Sequence, residues 1–122
     1  MPAHAPTILI NLISDRPAHI AKALRFGRKF LADGTSVILS VNIDAVVLVD
    51  PERDAGRCPV TGKPLTDLLR AFAAEGGRVL VGRECLGLIG RGPEDLPAGC
   101  EIAAFPLMAE IFATPDLKTI TW

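Results

Sequence analysis

The residues of this chain that could carry covalent chemistry are its three cysteines, Cys58, Cys85 and Cys100. Cys85 is the leading candidate, because it follows an apolar run within the stretch "VLVGRECLGLIGRG" (79–92). In parallel sheets, ligands and reactive groups collect beyond the carboxyl ends of the strands. If a helical turn begins here, its amides and Arg83 favour the thiolate, the nucleophilic form of cysteine. The competing interpretation is a small apolar residue packed into the interior.

The other two cysteines are expected to be inert. Cys58 lies in the Gly- and Pro-rich segment "GRCPVTGKP", which predicts an exposed loop thiol; the alternative is a mobile second thiol or the edge of an anion pocket. Cys100 begins a predicted strand and is expected in the core. There is no CxxC pair, and only His4 and His19 could join the cysteines as ligands. The spacing therefore predicts neither a metal site nor a disulfide framework.

Polar residues near the predicted strand ends are candidates for a pocket beside Cys85. One asparagine interrupts the first apolar strand, another follows the second strand, and two charged residues precede Cys85. The alternative for the asparagines is local hydrogen bonding or helix capping. The candidate pocket residues are Asn11, Asn42, Cys58, Arg83 and Glu84.

Apolar patterning predicts strands that alternate with helices along the chain. The predicted strands are 7–14, 35–41, 78–82, part of 100–105, and 118–122. The predicted helices are 15–34, with Asp15 as N-cap, Pro17 in the first turn and Gly34 as the terminating residue, then 65–77 and 106–114. This order predicts an α/β fold, a three-layer α/β/α sandwich with a five-stranded, mainly parallel sheet.

Two parts of this pattern are less determined. The run "AVVLV" (45–49) fits a short strand or one to two helical turns, and periodicity does not decide between them. The segment 50–64 is predicted to be a loop, and loops of this length are usually functional or mobile.

His19 falls in the first turn of the first helix, where a cap or surface role is expected rather than a catalytic base.

Length and charge narrow the classes of function. A chain of 122 residues predicts one domain, 1–122. A net charge of −1 gives no electrostatic reason to expect a nucleic-acid or membrane partner. No apolar run approaches the ~18 residues that cross a bilayer, and the N-terminal run lacks the basic flank of a signal peptide, so a cytoplasmic location is expected.

The apolar content suggests contacts between subunits. Hydrophobic residues make up 49% of the chain and its mean hydropathy is +0.35, more than a small monomer readily buries. An apolar set near the C-terminus is expected to pack in the core or to form a subunit interface. Its members are Phe105, Met108, Phe112 and Trp122.

Four segments in order resemble the DsrE/DsrF-like family, the small sulfur-relay proteins that include the TusD and YchN types. The segments are "ILINLIS", "AKALRFGRKFLADGTSVILSVNIDAVVL", "LTDLLRAFAAEGGRVLVGRECLGLIG" and "EDLPAGCEIA". The resemblance covers nearly the whole chain. It rests on the order and spacing of the segments rather than on any one motif.

The resemblance implies a role for Cys85. In the family, the turn after the third strand often carries a cysteine that accepts sulfur as a persulfide, and Cys85 falls there. Many members have a second cysteine three residues earlier, where this chain has Gly82. The departure leaves single-thiol sulfur carriage possible and weakens a disulfide-exchange mechanism.

The function expected from the resemblance is persulfide carriage through Cys85. The implied partners are further copies of the chain, as a trimer or hexamer, and another sulfur-carrier protein. No cofactor, metal or nucleotide chemistry is expected, so the activity is sulfur transfer at most. The alternative is a non-catalytic ligand-binding or assembly protein with a structural cysteine. A thiol redox sensor, using a reversible Cys85–Cys58 bond, is the third possibility.

Overall fold

A parallel β-sheet forms the middle layer of the computed structural model, which describes residues 6–122. The strands are β1 (Thr7–Leu12), β2 (Ser36–Val41), β3 (Arg78–Val81), β4 (Cys100–Ile102) and β5 (Leu117–Thr121). They are arranged β4-β3-β2-β1-β5, and each neighbouring pair is parallel. The predicted α/β sandwich is confirmed, with a sheet that is parallel throughout.

Helices connect the strands in the order expected for a parallel sheet. They are α1 (Pro17–Ala32), α2 (Leu65–Ala74), α3 (Arg83–Leu88) and α4 (Phe105–Phe112), with two 3₁₀ helices, η1 (Ile43–Val49) and η2 (Pro93–Asp95). The run "AVVLV", left open by its periodicity, is thus helical. No helix within residues 6–122 combines the length and the apolar character needed to cross a membrane.

The main core lies between one face of the sheet and the pair α1 and α2. Alternate strand residues such as Ile10 and Leu39 are fully buried against Phe72 of α2 and the apolar stripe of α1. A Cβ on Gly27 of α1 would lie 2.8 Å from Cε1 of Phe72. Gly27 therefore permits the close approach of the two helices.

The opposite face of the sheet is covered only in part. Leu9, Ile38 and Leu80 point to this face and pack with Ile111 of α4. Because α4 is only 8 residues long, it leaves part of this face open. Phe105 at its start and Phe112 at its end are 80% and 58% exposed. This second face is where the polar residues of the strands collect.

Three expectations from the sequence are wrong in detail. Asp15 does not cap α1; Arg16 holds the N-cap position, and its backbone N–H donates to Oγ of Ser14. The C-terminal apolar set does not pack as one group: Trp122 packs on the main core, edge-on against Phe26 of α1 at 5.5 Å between ring centroids, whereas Phe105 and Phe112 stay exposed instead of packing in the core. The third correction concerns the loop 50–64.

The loop between η1 and α2 folds back onto the core and buries Cys58, which was expected to be exposed. Cys58 is 1% exposed and belongs to the main core. Its backbone N–H donates to the Lys63 carbonyl at 2.8 Å, beside a bridge between Arg57 and Pro64. The turn satisfies the loop's polar backbone, which lets the thiol point inward.

Candidate functional site

The Cys85 thiol lies at the carboxyl edge of the sheet. β3 ends at Val81, Gly82 holds the N-cap position of α3, and Cys85 is in the first turn of that helix. The residue is partly buried, between the inward-facing Leu86 and the exposed Glu84. Its sulfur is therefore held by the protein and still reachable from solvent.

A backbone amide of η1 is directed at the sulfur of Cys85. The N–H of Ile43 donates a hydrogen bond to Sγ at 3.1 Å. Ile43 adopts a φ of 56°, a left-handed conformation that is uncommon for a β-branched residue. Amide donors of this kind stabilise negative charge on an acceptor. The strained turn therefore supplies the thiol with a partner suited to a thiolate.

The other end of η1 is tied to the segment that follows α3. Asp50, directly after η1, is 6% exposed and accepts a hydrogen bond from Nε of Arg91 at 3.1 Å. Nη2 of Arg91 also contacts Glu52 at 2.8 Å. Contacts at both ends of η1 thus fix it against the part of the chain that carries Cys85.

Three polar side chains form a connected group next to Cys85, on the second face of the sheet. Asn11 and Ser40 are register partners on β1 and β2. Nδ2 of Asn42 donates to Oδ1 of Asn11 at 3.1 Å and to Oγ of Ser40 at 2.8 Å. With its amide nitrogen committed to these neighbours, Asn42 turns its Oδ1 toward Gly82.

Gly82 leaves a small space between Asn42 and the sulfur. A Cβ at this position would lie 2.6 Å from Oδ1 of Asn42 and 3.4 Å from Sγ of Cys85. Real Cβ atoms do not approach an oxygen as closely as 2.6 Å, so a second cysteine at position 82 would require Asn42 to move. The position of the Asn42 side chain therefore requires a glycine at position 82.

Two neighbouring cavities extend from the thiol beneath α4. The outer cavity, about 480 Å³, is lined by Arg83, Glu84 and Cys85, together with Phe105 of α4. The inner cavity, about 360 Å³, reaches across the sheet to β5. The two share the lining residues Asn42, Gly82, Ala103 and Met108. They form one continuous cleft, which we call the α4 cleft.

The α4 cleft brings together four of the five candidate pocket residues. Asn11 and Asn42 line its inner part and Arg83 and Glu84 its mouth. The fifth, Cys58, is buried in the main core and lines neither cavity. A separate cavity of about 180 Å³ on the other side of Cys85 is lined by Asp15, Asp44 and Ile43, among others.

His19, Cys58 and Cys100 are not part of the cleft. Nδ1 of His19 contacts Oγ of Ser14 at 2.8 Å, at the start of α1. Contact with the Thr61 side chain lowers the pKa of Cys58, despite the opposing effect of burial. Cys100, expected in the core, is only partly buried at the edge of the main core, and this burial raises its pKa to about 11. His4 lies outside the described residues.

Several residues of the cleft were not singled out from the sequence. Ser40 could have been found from the sequence, because it is a polar residue within an apolar strand, like Asn11 in β1. It lies two residues after Ile38 and therefore on the same face of the sheet. Thr119 and Thr121 lie beside Leu9 and Asn11 only through the pairing of β5 with β1. Ile43 carried no signal, since a β-branched residue does not suggest positive φ.

Comparison with known proteins identifies the fold. No family model matches the sequence, and no curated protein matches it. The structure is similar to that of the YchN protein from E. coli, with a TM-score of 0.75, 17% identity and coverage of 97% of this chain and 99% of that one. It is also similar to MTH1491 from Methanobacterium thermoautotrophicum, a protein of unknown function (TM-score 0.74, 12% identity, coverage 96% and 99%). The chain thus has a YchN-like fold, in agreement with the resemblance read from the sequence.

Proposed function

We propose that this chain, with its DsrE/YchN-like fold, is a sulfur carrier that holds a persulfide on Cys85. The observation that carries the proposal is the environment of Sγ, which accepts a backbone hydrogen bond from Ile43 at 3.1 Å and faces an open cleft. A carrier of this kind needs an accessible thiol, a donor that stabilises its anion, and room for a second sulfur.

The chemistry is thiol exchange with no net oxidation. The Cys85 thiolate attacks the outer sulfur of a donor persulfide, R–S–SH; the new bond forms to Sγ as the donor S–S bond breaks, and R–S⁻ leaves. The product is Cys85–S–SH. An acceptor thiolate then attacks the outer sulfur, takes it as its own persulfide, and restores the Cys85 thiolate.

The positions of the other thiols favour carriage over disulfide exchange. Cys58 is 1% exposed within the main core, so a bond to Cys85 would require the loop 50–64 to leave that core. Position 82 is a glycine whose space is limited by Asn42. Cys85 therefore works as a single thiol. We place this activity in the cytoplasm, where thiols are kept reduced.

We also propose that the protein is a homo-oligomer. The supporting feature is the partly covered second face, where Phe105 and Phe112 are 80% and 58% exposed at the two ends of α4. A second copy on this face would bury both rings. It would also narrow the α4 cleft, leaving Cys85 near the subunit boundary.

Intact-mass spectrometry tests the carrier proposal. The protein is incubated with a cysteine desulfurase and cysteine, and a gain of about 32 Da, one sulfur atom, is expected in the wild type. The gain should vanish in Cys85→Ser and persist in Cys100→Ser, the matched control. If no gain occurs in the wild type, or if it persists in Cys85→Ser, the proposal is wrong and the alternative of a ligand-binding protein with a structural cysteine takes its place.

A further inference from the structure

The inner part of the α4 cleft is uncharged. It is about 360 Å³ in volume, and none of the described residues that line it is acidic, basic or histidine. The cavity has one polar wall and one apolar wall. Hydroxyl and amide groups come from the sheet, and apolar side chains such as Met108 and Phe112 come from α4. A carboxylate or ammonium entering this space would lose its hydration without gaining an opposite charge.

An acceptor lies at the point where the inner cavity meets the thiol. Oδ1 of Asn42 is 2.6 Å, and Sγ of Cys85 3.4 Å, from the position that a Cβ on Gly82 would take. A group joined to a sulfur that reacts at Cys85 and extending from the thiol into the inner cavity passes this oxygen. It therefore meets a carbonyl oxygen, which favours an N–H or O–H and disfavours a carboxylate.

Donors lie deeper in the cavity. Ser40 is 4% exposed, and its Oγ accepts from Asn42. Within residues 6–122 no acceptor is described for the O–H of Ser40 or for Nδ2 of Asn11. Because both residues line the inner cavity, these groups can donate to an oxygen there. Together with the hydroxyl groups of Thr119 and Thr121, the cavity thus offers both acceptors and donors, the complement of an amide.

We propose that the α4 cleft recognises the group carried by the reacting sulfur, and that this group is an uncharged amide. The inference rests on the proposed function, because it assigns the inner cavity to the molecule that exchanges sulfur with Cys85. Arg83 and Glu84 at the mouth carry opposite charges, so their sum is zero, and we assign the selection between charged and uncharged groups to the interior. The apolar side chains of α4 then pack against the rest of the group.

A pair of alkylating reagents tests this assignment without any persulfide. Iodoacetamide and iodoacetate each form an S–C bond to Sγ and release iodide, and they differ only in an amide or a carboxylate. The ratio of their rate constants at Cys85, divided by the ratio for free cysteine, should favour iodoacetamide by roughly fivefold to tenfold, the effect of about one hydrogen bond. A quotient near one would overturn the assignment.

Two glycine variants localise the effect. The backbone at Gly82, with φ −65° and ψ 120°, accepts alanine, but the methyl carbon would lie 2.6 Å from Oδ1 of Asn42 and would force that oxygen to move. Gly82→Ala should bring the quotient close to one. Gly87→Ala, in the same helix with nothing within 4 Å of the added carbon, should leave it unchanged. Retention of the preference in Gly82→Ala would contradict the role of Asn42.

A binding measurement that does not use the thiol completes the test. In Cys85→Ser, titration with acetamide should shift the side-chain amide resonances of Asn11 and Asn42, and titration with acetate should not. Equal shifts, or none, would refute the amide assignment even if Cys85 reacts with neither reagent. A positive result here, together with no persulfide on the wild type, would instead refute sulfur carriage and leave the amide site standing.

Discussion

The backbone N–H of Ile43 donates to Sγ of Cys85 at 3.1 Å, from a residue whose φ is 56°. A left-handed conformation costs a non-glycine residue of order 1–3 kcal/mol. Ile43 is 57% exposed, so the packing of its side chain offsets little of that free-energy cost. The conformation is held instead by the two ends of η1, and its consequence is an amide aimed at the thiol.

Ile43→Gly should therefore stabilise the protein. Glycine adopts positive φ without strain and retains the N–H, so we expect the free energy of unfolding in urea to rise by about 1 kcal/mol. Val60→Gly is the control, because Val60 is 70% exposed and does not have positive φ; it should give no gain. A loss of stability in Ile43→Gly comparable to that in Val60→Gly would contradict the strain.

Gly82→Cys, which places a second cysteine three residues before Cys85, should be destabilising. The added Cβ would lie 2.6 Å from Oδ1 of Asn42, and relieving such a contact costs about 1–3 kcal/mol. Combining it with Asn42→Ala should cost less than the sum of the two changes, in a double-mutant cycle measured by denaturant unfolding. Gly87→Cys serves as the control. Strict additivity would mean that the two residues do not compete for space.

The ion pair between Asp50 and Arg91 should matter more than an exposed pair. The Asp50 side chain is only 4% exposed, so Arg91→Ala leaves a buried carboxylate with fewer partners, and we expect a clear loss of unfolding free energy. Arg70→Ala removes the exposed pair with Asp67 and should cost less than about 0.5 kcal/mol. Equal losses would show that burial of Asp50 is unimportant.

Stability should fall at alkaline pH partly through Cys100. Burial raises the pKa of this thiol from 9.0 to about 11 in the folded chain. The unfolded chain therefore releases the proton first, so the contribution is complete below pH 9.0 and is lost as the pH rises toward 11. Urea midpoints of the wild type and Cys100→Val should diverge over this range, with the wild type falling more steeply. Parallel curves would mean that Cys100 is hydrated in the folded state.

The exposed aromatic residues of α4 should govern assembly. We expect light scattering to give a multiple of the 13.0 kDa chain mass for the wild type and a lower mass for Phe105→Ser/Phe112→Ser. Leu88→Ser is the control, since Leu88 is 87% exposed but lies at the end of α3. A wild-type mass of one chain would refute the interface.

Much of the fold could be read from apolar periodicity and glycine signals. The continuous β-branched runs predicted strands buried on both faces, and Gly34, with a φ of 88°, ends the first helix as expected. The secondary structure of "AVVLV" could not be predicted, because five apolar residues fit either a strand or a helix. Cys58 was misread because a Gly- and Pro-rich segment suggests exposure, whereas its backbone hydrogen bonds turn the thiol inward.

The sequence by itself determined the five strands, the helices α1, α2 and α4, and the position of Cys85 at a strand end, since these follow from local patterning and chain order. Only the tertiary structure decided what surrounds the thiol. Ile43 reaches Sγ through a strained turn, and Thr121 joins Asn11 because β5 pairs with β1 from the far end of the chain. Such contacts depend on strand register and on backbone conformations that run against residue preference. A one-dimensional pattern carries neither.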